Sequence, residues 1–515
     1  MITNKKYEDD IKGKNYLKTI FENKCIHKLL QKKIKTYPLG YYFVNQYISR
    51  RTYNENPLKE GIATDISSKI KKKMVLIRKM ALCLQKAIIP TKGNKRNTDI
   101  LFITRNRFIR LKDEFGTEYK SDYLFGPLIK ELDSKRSYQM DIITNEFQDV
   151  PRTDIISPRS LIEYSSLKIL LVSFIHANIN YIKWSIIKKC IVQKFGTNEK
   201  KAQMLTARFF SYTNLLYIQI YDRSLQRALQ TTKPRLIIAN DDIMQFKPKK
   251  GTKMIVVQSA SMLSQNEKYR KLNIDKFGLE DRIPSCFLVS GYKYKKIKQY
   301  FVDPSVIKVT GQTRYDVLYN TYKTYDKKKF INRNHIKQNE KIILWTTQSH
   351  ALSMEENKSN LRAVICAVKD LPNTKLLIKQ HPAEKKIHKK LIETGIEKFE
   401  VNALIMDNSS DIYEQLFCCD ILITKNSTTA MEAIALNKPV IILNLSGQTD
   451  SVDYVKEGVA LGVYNADELK PKIEYLLVND NVFTEQRESY IDKYLYKFDG
   501  KSTERIIQII DQMLT

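Results

Sequence analysis

Short apolar runs, each closed by small polar residues, alternate with amphipathic stretches through most of the chain. Residues 421–445, ILITKNSTTAMEAIALNKPVIILNL, hold the pattern in one unit. Ile421, Leu422 and Ile423 form a run without polar alternation, and so do Val440, Ile441, Ile442 and Leu443. Such runs fit parallel strands covered on both faces. Between them the AMEAIAL stretch reads as a helix, and Asn437-Lys438-Pro439 ends it, because Asn suits a C-terminal cap and Pro cannot continue a helix. Asn426, Ser427, Thr428 and Thr429 fall at the turn into that helix. There, hydroxyls and first-turn N–H groups point away from a strand's carboxyl end, where such folds seat a phosphate. Glu432, one turn on, is placed to reach a ribose hydroxyl. The same Ser and Thr residues would also serve as plain helix caps.

The alternation divides the chain. Residues 1–95 read as a mainly helical, basic extension. Residues 96–321 carry ILFIT, MDIIT, PRLIIANDD, KMIVVQSA, PSCFLVSG and VIKVTGQTRYDVL as strand-like runs, with a polar loop at 105–123 and a helical region at 160–232. A polar, basic linker is expected at 322–340. Residues 341–500 supply IILWTTQS, TKLLIKQHP, NALIMD, ILITKNSTT and PVIILNLSG. Residues 501–515 are a helix whose apolar positions, Ile506, Ile507, Ile509, Ile510 and Leu514, suit packing back across the domain junction. Strands alternating with helices predict parallel sheets, so the fold class is α/β: two Rossmann-like, doubly wound domains facing a cleft.

Length and composition agree with two domains, since 515 residues exceed what one core supports and 43% are hydrophobic. No stretch of uncharged apolar residues is long enough to span a membrane, and the N-terminus lacks a secretory core, so a cytoplasmic location is expected. The seven cysteines are scattered, without a CxxC pair, and the six histidines show no HExxH spacing. Reduced, packing cysteines and no bound metal or cofactor are the expectation. The net charge of +31 changes the picture more. Basic residues crowd the first hundred positions, as in KIKKKMVLIRKMALCLQKAIIPTKGNKR at 69–96, where an apolar stripe runs among them. That segment suits an anionic bilayer surface, or equally a solvated helix packed on the protein. Nucleic acid ranks last as a partner, because no zinc-finger, RNP-like or helix-turn-helix signature accompanies the charge.

Four segments then carry a resemblance: VTGQTRYDVL, LLIKQHPAE, NSTTAMEAIALNKPVI and DYVKEGVALGV, in that order. The ordered set resembles nucleotide-sugar glycosyltransferases of the GT-B fold that build surface polysaccharides, among them CDP-glycerol transferases and HP-motif sialyltransferase-type families. The similarity spans about 99–475, and the first 95 residues match no family. It implies a nucleotide-activated sugar or polyol-phosphate as co-substrate, a C-terminal domain that binds the donor, and an N-terminal domain that binds a surface glycan or lipid-linked acceptor. Contact of the basic N-terminal region with an anionic bilayer would place the protein at the inner face of the cell membrane.

The residues support that chemistry on their own terms. Lys379 and His381 follow the run LLIK at a strand's carboxyl end, beside the Ser/Thr turn. A cation and fixed donors there would stabilise charge developing on a departing phosphate, and a histidine can donate a proton near neutral pH. In HP-motif families the equivalent of His381, followed by Pro382, contacts the nucleotide. Gly311 permits a tight turn close to a ligand, with Arg314 and Asp316 in the next turn, and Thr346 ends the second domain's first strand. Asp241 and Asp242, after LIIAN, are the candidates for the base that deprotonates the acceptor, with Asp122 behind them; each Asp suits a turn equally well. Where related sequences carry Gln-His-Gly, this chain has Gln258-Ser259-Ala260. Two alternatives stay open: a nonhydrolysing sugar-nucleotide epimerase of the same architecture, although TRNRF and NSTT replace its usual glycine-bearing turns, and a noncatalytic basic scaffold that binds nucleic acid or membrane.

Overall fold

A computed structural model describes residues 97–195, 212–241, 248, 251–259, 284–299, 302–349, 352–382 and 384–515, with isolated positions before 97. Most of the 1–95 extension, expected to be helical, lies outside the described residues, as does Asp242.

Two parallel sheets organise the rest. In the first, β1 (Ile100–Thr104) is followed by a small antiparallel ribbon, β2 (Phe108–Lys112) with β3 (Glu118–Asp122). Helix α1 (Gly126–Lys135) leads to β4 (Met140–Thr144) and β5 (Arg159–Ser160). A helical hairpin, α2 (Leu167–Phe195) and α3 (Tyr212–Thr232), precedes β6 (Leu236–Asn240), β7 (Lys253–Val257) and β8 (Cys286–Val289). Helix α4 (Tyr292–Lys298), β9 (Ile307–Val309) and α5 (Thr313–Thr321) complete the unit. The spatial order is β9-β8-β7-β6-β1-β4-β5, with parallel pairing throughout. The ribbon replaces the polar loop expected at 105–123: FIRLK and EYKSD pair across it and bury Leu111, Tyr119, Ser121 and Asp122, while Ile109, Arg110 and Glu118 stay exposed.

Helix α6 (Lys327–Arg333) occupies the expected linker. Its sequence is polar, but Phe330, Ile331 and Ile336 are buried in the large core that continues from the first domain to the second. Three apolar side chains among lysines suffice to dock one turn, so this connection is packed structure.

The second sheet contains β10 (Lys341–Thr346), β11 (Thr374–Lys379), β12 (Ala403–Ile405), β13 (Ile421–Thr424), β14 (Val440–Leu443) and β15 (Leu461–Val463), after which the chain runs on into helices. Its order is β12-β11-β10-β13-β14-β15, all parallel. Helices α7 (Met354–Lys369), α8 (Lys386–Phe399), α9 (Ile412–Cys418), α10 (Thr429–Ala435), α11 (Leu469–Val478) and α12 (Thr484–Leu495) cover its faces. Both sheets thus reverse direction beside their first strand, and a crevice opens at the carboxyl ends there.

The last helix returns to the first domain. In α13 (Ser502–Leu514), Ile506, Ile507, Ile510 and Leu514 join Ile100, Phe102 and Leu128 in one buried cluster. Each such side chain contributes about 1.5–3 kcal/mol of burial. Asp316 fixes the helix start, accepting from Ser502 N at 3.0 Å, Thr503 N at 2.6 Å and Thr503 Oγ1 at 2.7 Å.

Candidate functional site

Strands β10, β11 and β13 are neighbours, so the loops leaving their carboxyl ends meet. Thr346 pairs with Lys379 in the β10–β11 register, and Thr347 N donates to Lys379 O at 3.0 Å. On the other side, Thr346 Oγ1 lies 3.2 Å from Thr429 Oγ1, and Asn426 N donates to Gln348 Oε1 at 2.8 Å. Glu384 ties the loop after β11 to the loop after β10: its Oε1 accepts from Thr347 Oγ1 at 2.8 Å and Ser349 N at 2.7 Å, and its Oε2 accepts from Gln380 Nε2 at 3.1 Å. His381 and Pro382 therefore belong to a loop braced against the Thr346–Ser349 segment. The sequence reading selected Thr346, His381, Pro382 and Asn426 through Thr429; the structure sets Thr346 against Thr429 and puts His381 and Pro382 in the loop that Glu384 ties to the Thr346–Ser349 segment. The reading passed over Glu384, although an acid closing the LLIKQHPAE segment was a usable signal.

The Ser/Thr turn is shaped by its own bonds. Ser427 Oγ accepts from Thr429 N at 3.2 Å, and Tyr454 donates to Ser427 O at 3.3 Å. Ser427 thus takes the capping role, while Thr428 makes no side-chain cap bond. Asn426 Nδ2 reaches Ser451 Oγ at 3.0 Å.

Three residues nominated as ligand contacts hold the protein to itself. Lys379 Nζ donates to Asp407 O at 2.6 Å, Asn408 O at 3.2 Å, Ser410 O at 2.9 Å and Ser410 Oγ at 3.0 Å. Those acceptors use up the ammonium's three protons, so Lys379 clamps the loop after β12 and offers the crevice only its field. Burial pushes its pKa down to about 8, which leaves it cationic at neutral pH. Glu432, expected at a ribose, is ion-paired with Arg314 from the first domain, and both side chains are buried. Beside them, Tyr315 OH donates to Met431 Sδ at 2.9 Å. Helices α5 and α10 are thereby fastened across the domain boundary. Gly311 adopts a left-handed φ of 80°, and a Cβ there would clash with Ser502 Oγ. Its turn admits α13 rather than a ligand.

On the first domain's side, Asp241 follows β6. Its Oδ1 accepts from Ser259 N at 3.0 Å and Ser259 Oγ at 2.7 Å, and its Oδ2 lies 3.9 Å from the buried Lys298 Nζ. Asp122 is fully buried and accepts from Thr104 Oγ1 at 2.6 Å, Leu124 N at 2.9 Å and Phe125 N at 2.7 Å. Burial outweighs those bonds and raises its pKa to about 6. Arg107 stacks on Tyr123 at 4.1 Å, and Tyr123 OH donates to Ser259 O at 3.0 Å.

A cavity of about 230 Å³ opens on the α7 side of the second sheet, lined by Glu355, Glu356, Asn360, Lys425 and Ser446 among others. It shares Asn360 and Lys425 with a smaller hollow that reaches Thr346 and Gln348. The larger space is thus behind the phosphate-type loops, and the chemistry assigned below belongs to the loops themselves.

Two doubly wound domains with polar loops at their crossover points are the GT-B architecture, and the family that the sequence matches makes the chain a transferase that uses a nucleotide-activated donor. More particularly, the chain belongs to the CDP-glycerol:poly(glycerophosphate) glycerophosphotransferase family, whose model matches residues 189–512. Among solved structures it is similar to UDP-GlcNAc 2-epimerase from Neisseria meningitidis bound to UDP-GlcNAc, with a TM-score of 0.50 and 13% identity over 80% of this chain and 100% of that one. It is also similar to the wall teichoic acid polymerase TagF, with a TM-score of 0.48 and 13% identity over 87% of this chain and 97% of that one. S. aureus MnaA with UDP gives a TM-score of 0.48 at 14% identity over 81% and 97%. No curated protein matches the sequence. At these identities the epimerase likeness shows the architecture and nothing of the reaction.

Proposed function

We propose that this enzyme transfers a polyol phosphate, of the glycerol phosphate class, from its CDP-activated form to the terminal hydroxyl of a polyol-phosphate chain carried on a lipid or glycan. The observation that carries the reading is the meeting of the loops after β10, β11 and β13 at the crossover of a 3-2-1-4-5-6 sheet, inside the region matched to the family. The acceptor oxygen attacks the phosphorus that bears the polyol and forms a new P–O bond. The anhydride P–O bond breaks, and CMP leaves with the bridging oxygen. The hydroxyl proton passes to a base on the first domain's side, for which Asp241 is the candidate through Oδ2, since Ser259 occupies Oδ1. His381, with the hydroxyls of Thr346 and Thr428 and the amides of the Asn426–Thr429 turn, meets the charge that develops on the departing phosphate. We assign the enzyme to the cytoplasmic side of the cell membrane, where a CDP-activated donor and a lipid-linked acceptor meet.

The product decides the reading. Incubation with CDP-glycerol and a short glycerol-phosphate oligomer should release CMP, whereas sugar transfer from a nucleoside diphosphate sugar would release the diphosphate. His381→Ala should lower kcat/KM by roughly a hundredfold or more, the usual share of one proton-transfer or charge-stabilising group. CDP as product, or an unchanged His381→Ala rate, would remove the assignment.

A further inference from the structure

A phosphoryl group passing between the domains carries negative charge on its nonbridging oxygens, and that charge calls for a cation whose donors are not already committed. Two cations near the crevice are committed. Lys379 is held by Asp407, Asn408 and Ser410, and Arg314 is paired with Glu432. Arg107 differs from both. It is exposed, and among the described residues its guanidinium makes no hydrogen bond or ion pair.

The chain around Arg107 fixes its place. Strand β1 ends at Thr104, beside β6, on the side of the sheet where the crevice opens. The chain then turns, with Arg107 N donating to Arg105 O at 2.8 Å, and Tyr123 N donates to Arg107 O at 3.0 Å. The Tyr123 ring lies against the guanidinium, its centroid 4.1 Å from Cζ. Such a stack holds a planar cation by its face and leaves the N–H edge open to an anion. The ribbon that Arg107 leads into is tied down at the far end of β2, where Lys112 Nζ lies 3.1 Å from Asp411 Oδ2 of the second domain.

Both walls of the crevice are close to this cation. On the first domain's side, the Tyr123 hydroxyl that bonds Ser259 O connects the stack to Asp241, which holds Ser259. On the second domain's side, burial raises the Glu432 carboxyl above its ordinary range, and the charges of Arg314 and then Arg107 pull against that rise. Glu432 stands one turn beyond Thr429 in α10, so the field of Arg107 reaches the helix that the Asn426–Thr429 turn opens. Resting on the transfer chemistry above, we propose that Arg107 grips two nonbridging oxygens of the phosphoryl group being transferred and stays on them through the transition state. It forms no bond and moves no proton. The acceptor oxygen attacks, CMP departs, and the guanidinium fork meets the charge that the equatorial oxygens share while the anhydride bond breaks.

The test uses the full chain, with binding of CDP-glycerol and of CMP read by calorimetry and transfer read by CMP release. Arg107→Ala should weaken CDP-glycerol binding about tenfold and leave CMP binding unchanged, because CMP lacks the second phosphoryl group. It should lower kcat by about a hundredfold or more, with unchanged thermal unfolding. Arg107→Lys keeps the charge without the fork and should regain only a small part of the rate. Added guanidinium ion should restore part of the Arg107→Ala rate and leave the wild-type rate alone, which a structural role would not produce. Equal weakening of CMP and CDP-glycerol would put Arg107 on the nucleotide's own phosphate and overturn the proposal. An unchanged kcat, or a loss confined to KM for the glycerol-phosphate oligomer, would overturn it too. If wild type binds CDP-glycerol through Arg107 yet releases no CMP, the transfer reading fails and the phosphoryl contact stands; if it binds neither nucleotide, both fall.

Discussion

Glu432→Gln is the sharpest probe of how the two domains are held together. The substitution keeps shape and a hydrogen-bonding oxygen but removes the charge facing Arg314, whose side chain is 7% exposed against 6% for Glu432. Arg314 Nε is buried and has no partner among the described residues. Burial holds the Glu432 carboxyl above its ordinary range despite the neighbouring charge, which marks a site where water screens little. Removing one partner of such a pair typically costs about 3–5 kcal/mol, whereas an exposed pair costs at most about 1 kcal/mol. The burial here selects the larger figure. The assay is equilibrium urea unfolding of Glu432→Gln, Arg314→Met and the double variant Arg314→Met/Glu432→Leu. Each single change should lose about 3–5 kcal/mol, and the double should recover most of it, because apolar side chains replace a buried pair at little net cost. Since the contact joins α5 to α10, each single change should also raise KM for the donor more than the double does. Additive losses in the double variant, or single losses below about 1 kcal/mol, would refute a buried interdomain pair.

Three further changes test other parts of the molecule. Gly311→Ala should destabilise by at least about 1–2 kcal/mol from the left-handed backbone alone, and Ser502→Ala in the same chain should return part of the loss in thermal melts, because the clash is with Ser502 Oγ. Asp122 has its pKa raised from 3.8 to about 6, so its share of stability is complete below about pH 4 and is lost as pH rises through about 6. That share is roughly 3 kcal/mol at about 1.4 kcal/mol per tenfold change in proton affinity, and Asp122→Asn should flatten the pH dependence of unfolding in this window. Lys379→Met should leave the carbonyls of Asp407, Asn408 and Ser410 without their cation and cost about 1–3 kcal/mol, visible as faster amide hydrogen exchange confined to 406–412.

What the sequence disclosed and what it hid follow one physical line. Unbroken apolar runs such as ILIT and VIIL declare buried parallel strands, and the small polar residues after them declare carboxyl ends, so both sheets and the crevice loops were legible from local pattern. The polar face of α6 hid Phe330 and Ile331, because two or three apolar side chains among lysines leave no periodic signal. The roles of Glu432 and Lys379 were hidden for a different reason. A carboxylate one turn into a phosphate-type helix and a lysine at a strand end look alike whether they face ligand or protein, and the deciding partner lies 118 positions away for Glu432 and some thirty for Lys379. Arg314 and Asp316 sit in the VTGQTRYDVL segment that carries the family resemblance, yet one binds the second domain's helix and the other the start of α13. Part of that resemblance therefore records how the domains are joined. The catalytic reading rests accordingly on His381, Thr346 and the Asn426–Thr429 turn, whose neighbours in the sheet bring them together, and not on every residue that the motifs contain.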